Sequence, residues 1–191
     1  EAVEKLQQRY AKTTKKGTQK PALELRSAIR HDIILDQKKL FRKIMQFVTR
    51  LKIAPEHISD TVLKNMNKAD IKAFDDFLKE YALVNKEQGT HKNLVPYFVA
   101  AHPGTTLDDM KLLRHYCKEK DLFVNLTQVF TPTPGTLSTA MYYSGENPVT
   151  REKVHVSRSF REKKDQKNIL MGFEDGQDHH DRDISEEDDQ G

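Results

Sequence analysis

The sequence predicts an α/β fold: a partial, incomplete TIM-type β/α barrel with about four parallel strands, followed by a disordered acidic C-terminal tail. Short apolar strands alternate with helical segments, which is typical of βαβ units and a parallel sheet. The segment Leu94–Ala101 is almost continuously apolar, as in parallel strands that are buried on both faces. Residues 174–191 contain nine acidic residues and one Arg, a composition that favours disorder.

Four segments are predicted to be strands, namely Leu23–Ser27, Leu51–Ala54, Leu94–Ala101 and Leu122–Phe130. A complete β/α barrel closes with eight strands. Four strands therefore leave two unpaired edges, and such edges are normally covered or paired. We expect a missing barrel half, or another protein chain, to cover them.

The chain divides into four regions by composition. Residues 1–20 form an N-terminal helix and a basic loop, and residues 21–145 form the partial barrel. Residues 146–172 form a loop and a basic helix, and residues 173–191 form the acidic tail. Within the barrel, helices are predicted to begin at Asp36, at Ser59 or Asp60, and at Thr105 or Thr106, since these residues are good N-caps.

The composition restricts the classes of protein to which the chain belongs. Hydrophobic residues make up 36% of the chain, below the roughly 45–50% of compact domains. No apolar run approaches the roughly 20 residues that span a bilayer, so we expect no membrane segment. The single cysteine excludes an internal disulfide and predicts an intracellular location, in the cytoplasm or the interior of an organelle.

The positive charge is concentrated outside the tail. The whole chain carries +3, and the tail from Glu174 carries −8, which leaves 31 basic and 20 acidic residues in residues 1–173. Clusters of basic side chains make non-specific, salt-sensitive contacts with RNA, although no nucleic-acid-binding motif accompanies them. A solvated basic surface is the alternative. The two clusters are Lys12, Lys15, Lys16 and Lys20, and Arg158, Arg161, Lys163, Lys164 and Lys167.

The cysteine count also limits metal chemistry. Iron–sulfur clusters are held by several thiolates, and this chain has only Cys117. Cys117 follows Met110 and Leu113 at helical spacing, which predicts a thiol in the hydrophobic core. His179 and His180 lie among acids, where they either bind a metal loosely or are simply solvated. We predict no metal site within the chain.

Polar residues follow each predicted strand, where β/α barrels place their binding groups. Five motifs occur in order: Arg26–Asp32 (RSAIRHD), Ala54–His57 (APEH), Ser59–Lys68 (SDTVLKNMNK), Leu94–Gly104 (LVPYFVAAHPG) and Phe130–Tyr143 (FTPTPGTLSTAMYY). With these motifs the chain resembles the YgiQ-like family of radical S-adenosylmethionine (SAM) proteins, over about residues 23–169.

The resemblance implies a cofactor site for SAM at the ends of the strands. The polar residues expected to bind SAM or substrate are Arg26, Arg30, Glu56 and His57. Val99 and His102 belong to the strand expected to flank adenine, and Phe130 lies on the following strand. Arginine suits a carboxylate because it donates two parallel hydrogen bonds. Two alternatives compete: Arg30 forms an ion pair with Asp32 or Glu56, and His102 merely ends its strand.

The sequence departs from the family in the cluster-binding segment and in the first motif. The CxxxCxxC segment that holds a [4Fe–4S] cluster is absent, and the expected glycine of the first motif is Ala28. The resemblance therefore implies the C-terminal, SAM- and substrate-binding portion of a radical SAM enzyme, with the cluster in the missing half or in a partner. The alternative is a non-catalytic barrel remnant that serves as a structural subunit of a larger assembly, possibly one containing RNA. No catalytic residue is predicted.

Overall fold

A computed structural model describes residues 5, 25, 27–124 and 127–172. The predicted N-terminal helix, the lysine-rich loop, the acidic tail and most of the predicted strand Leu23–Ser27 lie outside the described residues. The fold is mixed α/β with an open, three-stranded parallel sheet, which agrees with the predicted partial barrel.

The sheet consists of β1 (Arg50–Glu56), β2 (Asn93–Ala100) and β3 (Thr127–Val129), in the order β1-β2-β3. All neighbouring strands are parallel, so their carboxyl ends lie at one edge of the sheet. A single parallel bridge, Ile29 to Ile53, continues the pairing beyond β1. Ile29 lies two residues after the end of the predicted first strand, Leu23–Ser27.

Helices lie between and after the strands. They are α1 (His31–Leu35), α2 (Lys38–Phe47), α3 (Asp60–Asn65), α4 (Ile71–Glu87), α5 (Leu107–Glu119), α6 (Leu137–Ser144) and α7 (Phe160–Met171). The prediction for the N-cap of α5 is confirmed at Thr106, whose side chain accepts from the backbone N–H of Asp109. The prediction that Asp36 begins a helix is wrong, because Asp36 ends α1 and Gln37 precedes α2. With five residues, α1 is too short to show helical periodicity.

The last strand is shorter than the sequence predicts. Among the described residues of this segment, Thr127–Val129 pairs with β2, whereas the apolar run begins at Leu122. Leu122 and Val124 pack against the hydrophobic core instead, and Phe123 is 76% exposed. An apolar run of this kind therefore reports burial rather than strand pairing.

The two faces of the sheet differ in burial. Leu51, Ile53, Phe98 and Ala100 are fully buried beneath the helices. The alternate residues of β2, among them Tyr97 and Val99, are only half-buried. The prediction that Leu94–Ala101 is buried on both faces is therefore wrong for the described residues. The half-buried face corresponds to the interior of a barrel, which opposite strands would cover.

The core confirms the predicted environment of Cys117. The thiol is 2% exposed and belongs to the same buried cluster as Met110 and Leu113. Burial raises the pKa of the thiol to about 12, because the thiolate loses its hydration. Cys117 is therefore a protonated, structural side chain.

No described helix is both long enough and apolar enough to cross a membrane.

The side chain of Gln166 fastens α7 to the end of β2. Its Oε1 accepts from the backbone N–H of Ala101 at 2.7 Å. Its Nε2 donates to the Thr105 carbonyl at 3.0 Å and to Ser157 Oγ at 2.9 Å. Because Gln166 is fully buried, no water replaces these hydrogen bonds.

We expect Gln166→Leu to lower the free energy of unfolding by about 3 kcal/mol, since it leaves the Ala101 N–H and the Thr105 carbonyl without these partners and removes one hydrogen bond of Ser157. Urea unfolding followed by circular dichroism measures this loss. The control is Lys167→Leu, an exposed change on the same helix, which should stay within about 0.5 kcal/mol of the parent protein. Equal stability of Gln166→Leu and the parent would contradict this role.

Candidate functional site

A groove lies at the carboxyl ends of the three strands. Its volume is about 210 Å³. Four of the predicted cofactor-binding residues line it, namely Glu56, Val99, His102 and Phe130. The remaining lining residues are Met66, Lys68, Gln128 and Thr131. The structure therefore brings together residues that are 74 positions apart in the sequence, from Glu56 to Phe130.

Two strands end in left-handed backbone conformations beside this groove. Glu56, the last residue of β1, has φ of 67°, and Ala101, directly after β2, has φ of 59°. Neither residue is a glycine, so each conformation costs roughly 1–2 kcal/mol. Strained residues of this kind concentrate at functional sites.

The carboxylate of Glu56 forms an ion pair across the groove rim. Lys68 Nζ lies 3.1 Å from Glu56 Oε1, and both side chains are about a quarter exposed. Such a partly exposed pair contributes little to stability. It does hold the carboxylate in position as a hydrogen-bond acceptor.

His102 is a buried, neutral residue at the inner wall of the groove. Its Nδ1 lies 2.9 Å from the Pro103 carbonyl, which only accepts, so Nδ1 carries the proton. Nε2 therefore accepts from the Ser138 hydroxyl at 2.8 Å. Burial lowers the pKa of His102 to about 4. The Phe130 ring meets His102 edge to face, with centroids 5.1 Å apart.

His57 does not line the groove. It is 1% exposed, and its Nδ1 accepts from the backbone N–H of Ser59 at 3.0 Å. Its Nε2 has no hydrogen-bond partner among the described residues. Burial lowers the pKa of His57 to about 4. His57 is therefore a buried residue that does not line the groove. Its role toward a cofactor stays a prediction.

Of the two predicted arginines, the structure describes only Arg30, which does not line the groove. Arg26 lies outside the described residues. Arg30 has an exposed side chain, and its Nε donates to Asp32 Oδ1 at 3.0 Å. The Arg30 guanidinium lowers the pKa of Asp32 by this hydrogen bond. The ion pair between Arg30 and Asp32 is therefore confirmed, whereas Glu56 pairs with Lys68.

Sequence reasoning missed four lining residues: Met66, Lys68, Gln128 and Thr131. Met66 and Lys68 both belong to the SDTVLKNMNK motif. The position of Lys68, twelve residues after Glu56 and past a short helix, was a usable signal for the ion pair. Gln128 belongs to β3, and the apolar pattern of the predicted strand Leu122–Phe130 does not show where β3 begins.

The described residues do not fit an iron–sulfur cluster. The only cysteine of the chain is buried in the core and remains a thiol. No three potential metal-binding side chains come together in the described ranges. No step of a reaction is therefore assigned to a cluster held by this chain.

The groove combines apolar and polar surface. Val99, Met66 and Phe130 supply apolar and aromatic side chains, and Glu56 and Gln128 supply polar atoms. Its volume of 210 Å³ is smaller than the roughly 300–1,000 Å³ of typical ligand pockets.

Comparison with known proteins places the chain beside the UPF0313 proteins. It is 42% identical over 147 residues to a UPF0313 protein of Methanocella arvoryzae. It is 39% identical over 153 residues to one of Methanocaldococcus jannaschii, and 40% identical over 151 residues to one of Thermotoga neapolitana. Residues 125–180 match a family described as a domain of unknown function (DUF3362).

These similarities cover 76–77% of this chain but only 24–27% of the three relatives. The chain therefore spans about a quarter of the length of the curated relatives it matches. The DUF3362 match includes β3, Phe130, α6 and α7, and so includes one side of the groove.

We expect the stability of the protein to fall as the pH falls from about 6.5 to about 4. His57 and His102 bind protons near pH 6.5 when unfolded but only near pH 4 when folded. In this window the unfolded state binds more protons, so stability decreases with acid, by on the order of 2–3 kcal/mol for each histidine.

Urea unfolding at pH 7.5 and pH 4.5 measures this effect. His102→Gln should reduce the difference between the two pH values, whatever its own stability. His115→Gln, at an exposed position on α5, is the matched control and should leave the difference unchanged. A pH difference that His102→Gln does not reduce would exclude the neutral, buried form of this residue.

Proposed function

We propose that this chain is the SAM- and substrate-binding portion of a radical SAM enzyme, and that it depends on a [4Fe–4S] cluster held elsewhere. The proposal rests first on the ordered motifs that resemble the YgiQ-like family. The convergence of Glu56, Val99, His102 and Phe130 on one groove supports it, because these residues belong to three separate motifs of that resemblance.

In this proposal each groove residue has a defined task. Phe130 stacks on adenine, and Val99 excludes water from the opposite face of the ring. Glu56 accepts hydrogen bonds from a ribose hydroxyl or an amine, while Lys68 holds its carboxylate in position. His102 remains neutral and fixes the position of Phe130.

When SAM is bound beside a reduced cluster, it supplies the radical chemistry that protein side chains cannot supply. The chain itself binds and orients SAM. The small volume of the groove is consistent with this division, since the remaining walls would come from the strands that complete the barrel.

Titration calorimetry with SAM and S-adenosylhomocysteine tests the proposal, on the purified chain and on its complex with native partners. Phe130→Ala should weaken binding roughly five- to a hundredfold, because stacking on a base contributes about 1–3 kcal/mol. Glu56→Gln should weaken it roughly tenfold, by loss of a charged hydrogen-bond acceptor.

Phe123→Ala is the control, because Phe123 is exposed and lies at the opposite edge of the sheet. It should bind SAM like the parent protein. The proposal fails if neither the chain nor its native complex binds SAM, or if Phe123→Ala and Phe130→Ala have the same effect.

Anaerobic reconstitution with iron and sulfide tests where the cluster is held. We expect the isolated chain to acquire no [4Fe–4S] centre, and Cys117→Ser to behave identically, because one buried thiol cannot hold a cluster. Electron paramagnetic resonance after reduction provides the measurement. A cluster signal from the isolated chain would overturn this assignment.

A structural role is the second candidate function. The half-buried face of the sheet and the lack of a strand beyond β3 among the described residues favour a chain that packs against another protein. In that case the native complex would contain this chain but would bind no SAM. Light scattering of the complex, together with the calorimetry above, separates the two candidates.

A further inference from the structure

A second surface of the chain combines exposed aromatic rings with positive charge. It is formed by the carboxyl end of α6 and the amino end of α7, and we call it the aromatic–basic surface. Its residues are Tyr142, Tyr143, Arg158, Phe160, Arg161 and Lys163. None of them lines the groove at the strand ends.

Direct contacts join the two helices at this surface. Arg158 Nη2 donates to the Tyr143 carbonyl at 3.1 Å, which joins the start of α7 to the end of α6. The Arg158 guanidinium lies 5.6 Å and Lys163 Nζ lies 4.8 Å from the centre of the Tyr142 ring. Lys163 Nζ also donates to the Tyr142 hydroxyl at 3.1 Å. Two cations thus hold Tyr142 in place.

Two aromatic rings of this surface remain open to solvent. Phe160 is 82% exposed and Tyr143 is 69% exposed. The Tyr143 ring lies at right angles to the Tyr142 ring, with centroids 5.4 Å apart, and most of its surface stays exposed. Exposed apolar groups that adjoin charged groups commonly mark a binding surface.

The charge of the surrounding segment is strongly positive. Residues 151–167 contain seven Arg or Lys residues and three acids. One acid, Glu162, pairs with His155, and Arg161 is 93% exposed at its side chain, 4.0 Å from Asp165. The surface is therefore complementary to a polyanion that also carries flat apolar groups.

We infer that the aromatic–basic surface binds single-stranded nucleic acid. Unpaired bases stack on Tyr143 and Phe160, and the phosphates contact Arg158, Arg161 and neighbouring cations. Proteins that bind single strands use this combination of stacking aromatic residues and a basic track. A duplex buries its base faces and leaves the two rings without a partner.

The surface is continuous with the groove. Tyr142 lies 5.8 Å from Phe130, centroid to centroid, and Phe130 contacts His102. A strand bound at the surface would therefore pass close to the site proposed for SAM. The inference does not depend on SAM binding, because it uses different residues.

Fluorescence anisotropy with a labelled oligoribonucleotide of about twelve residues, and with the corresponding DNA, tests the inference on the full chain. Tyr143→Ala and Phe160→Ala should each weaken binding roughly five- to a hundredfold, the range expected for one stacked base. Phe160→Trp should retain binding. Arg161→Gln should lower the slope of log affinity against log salt by about 0.7, one phosphate contact.

Phe123→Ala is the matched control, since Phe123 is a comparably exposed aromatic residue at the opposite edge of the sheet. It should bind like the parent protein. RNA and DNA results together show whether the 2′-hydroxyl contributes. Absence of binding at low salt, equal binding of a duplex, or equal effects of Phe123→Ala and Phe160→Ala would overturn the inference.

Discussion

The buried amide of Gln166 determines how the end of β2 is held. It stabilises the left-handed conformation of Ala101 by accepting from its N–H, and it binds the Thr105 carbonyl at the start of α5. Ala101 in turn sets the direction in which His102 enters the groove. Because Gln166 belongs to α7, the C-terminal helix of the described chain supports the wall of a site to which it contributes no side chain.

The parallel order of the sheet explains why distant residues form one site. Three carboxyl ends at one edge bring Glu56, His102 and Phe130 together, as β/α folds generally do. The same order leaves the alternate face of β2 only half-buried. Among the described residues, the open sheet and the open groove are both consistent with an incomplete barrel.

The sequence predicted the fold class and half of the residues that line the groove, because strand ends in α/β proteins carry recognisable motifs. It was wrong about local boundaries. Asp36 fits an N-cap by type but ends a short helix, and Leu122 fits a strand but packs into the core. The ion pair of Glu56 with Lys68 was not predicted, although only one short helix, α3, lies between these residues.

The left-handed conformation of Glu56 has a consequence for protein engineering. Glycine adopts φ of 67° without steric cost, so a glycine at position 56 would relieve strain of roughly 1–2 kcal/mol. It would also remove the one carboxylate that lines the groove among the described residues. Selection for thermostability alone would therefore favour loss of this carboxylate. Thermal stability and ligand recognition thus favour different residues at position 56.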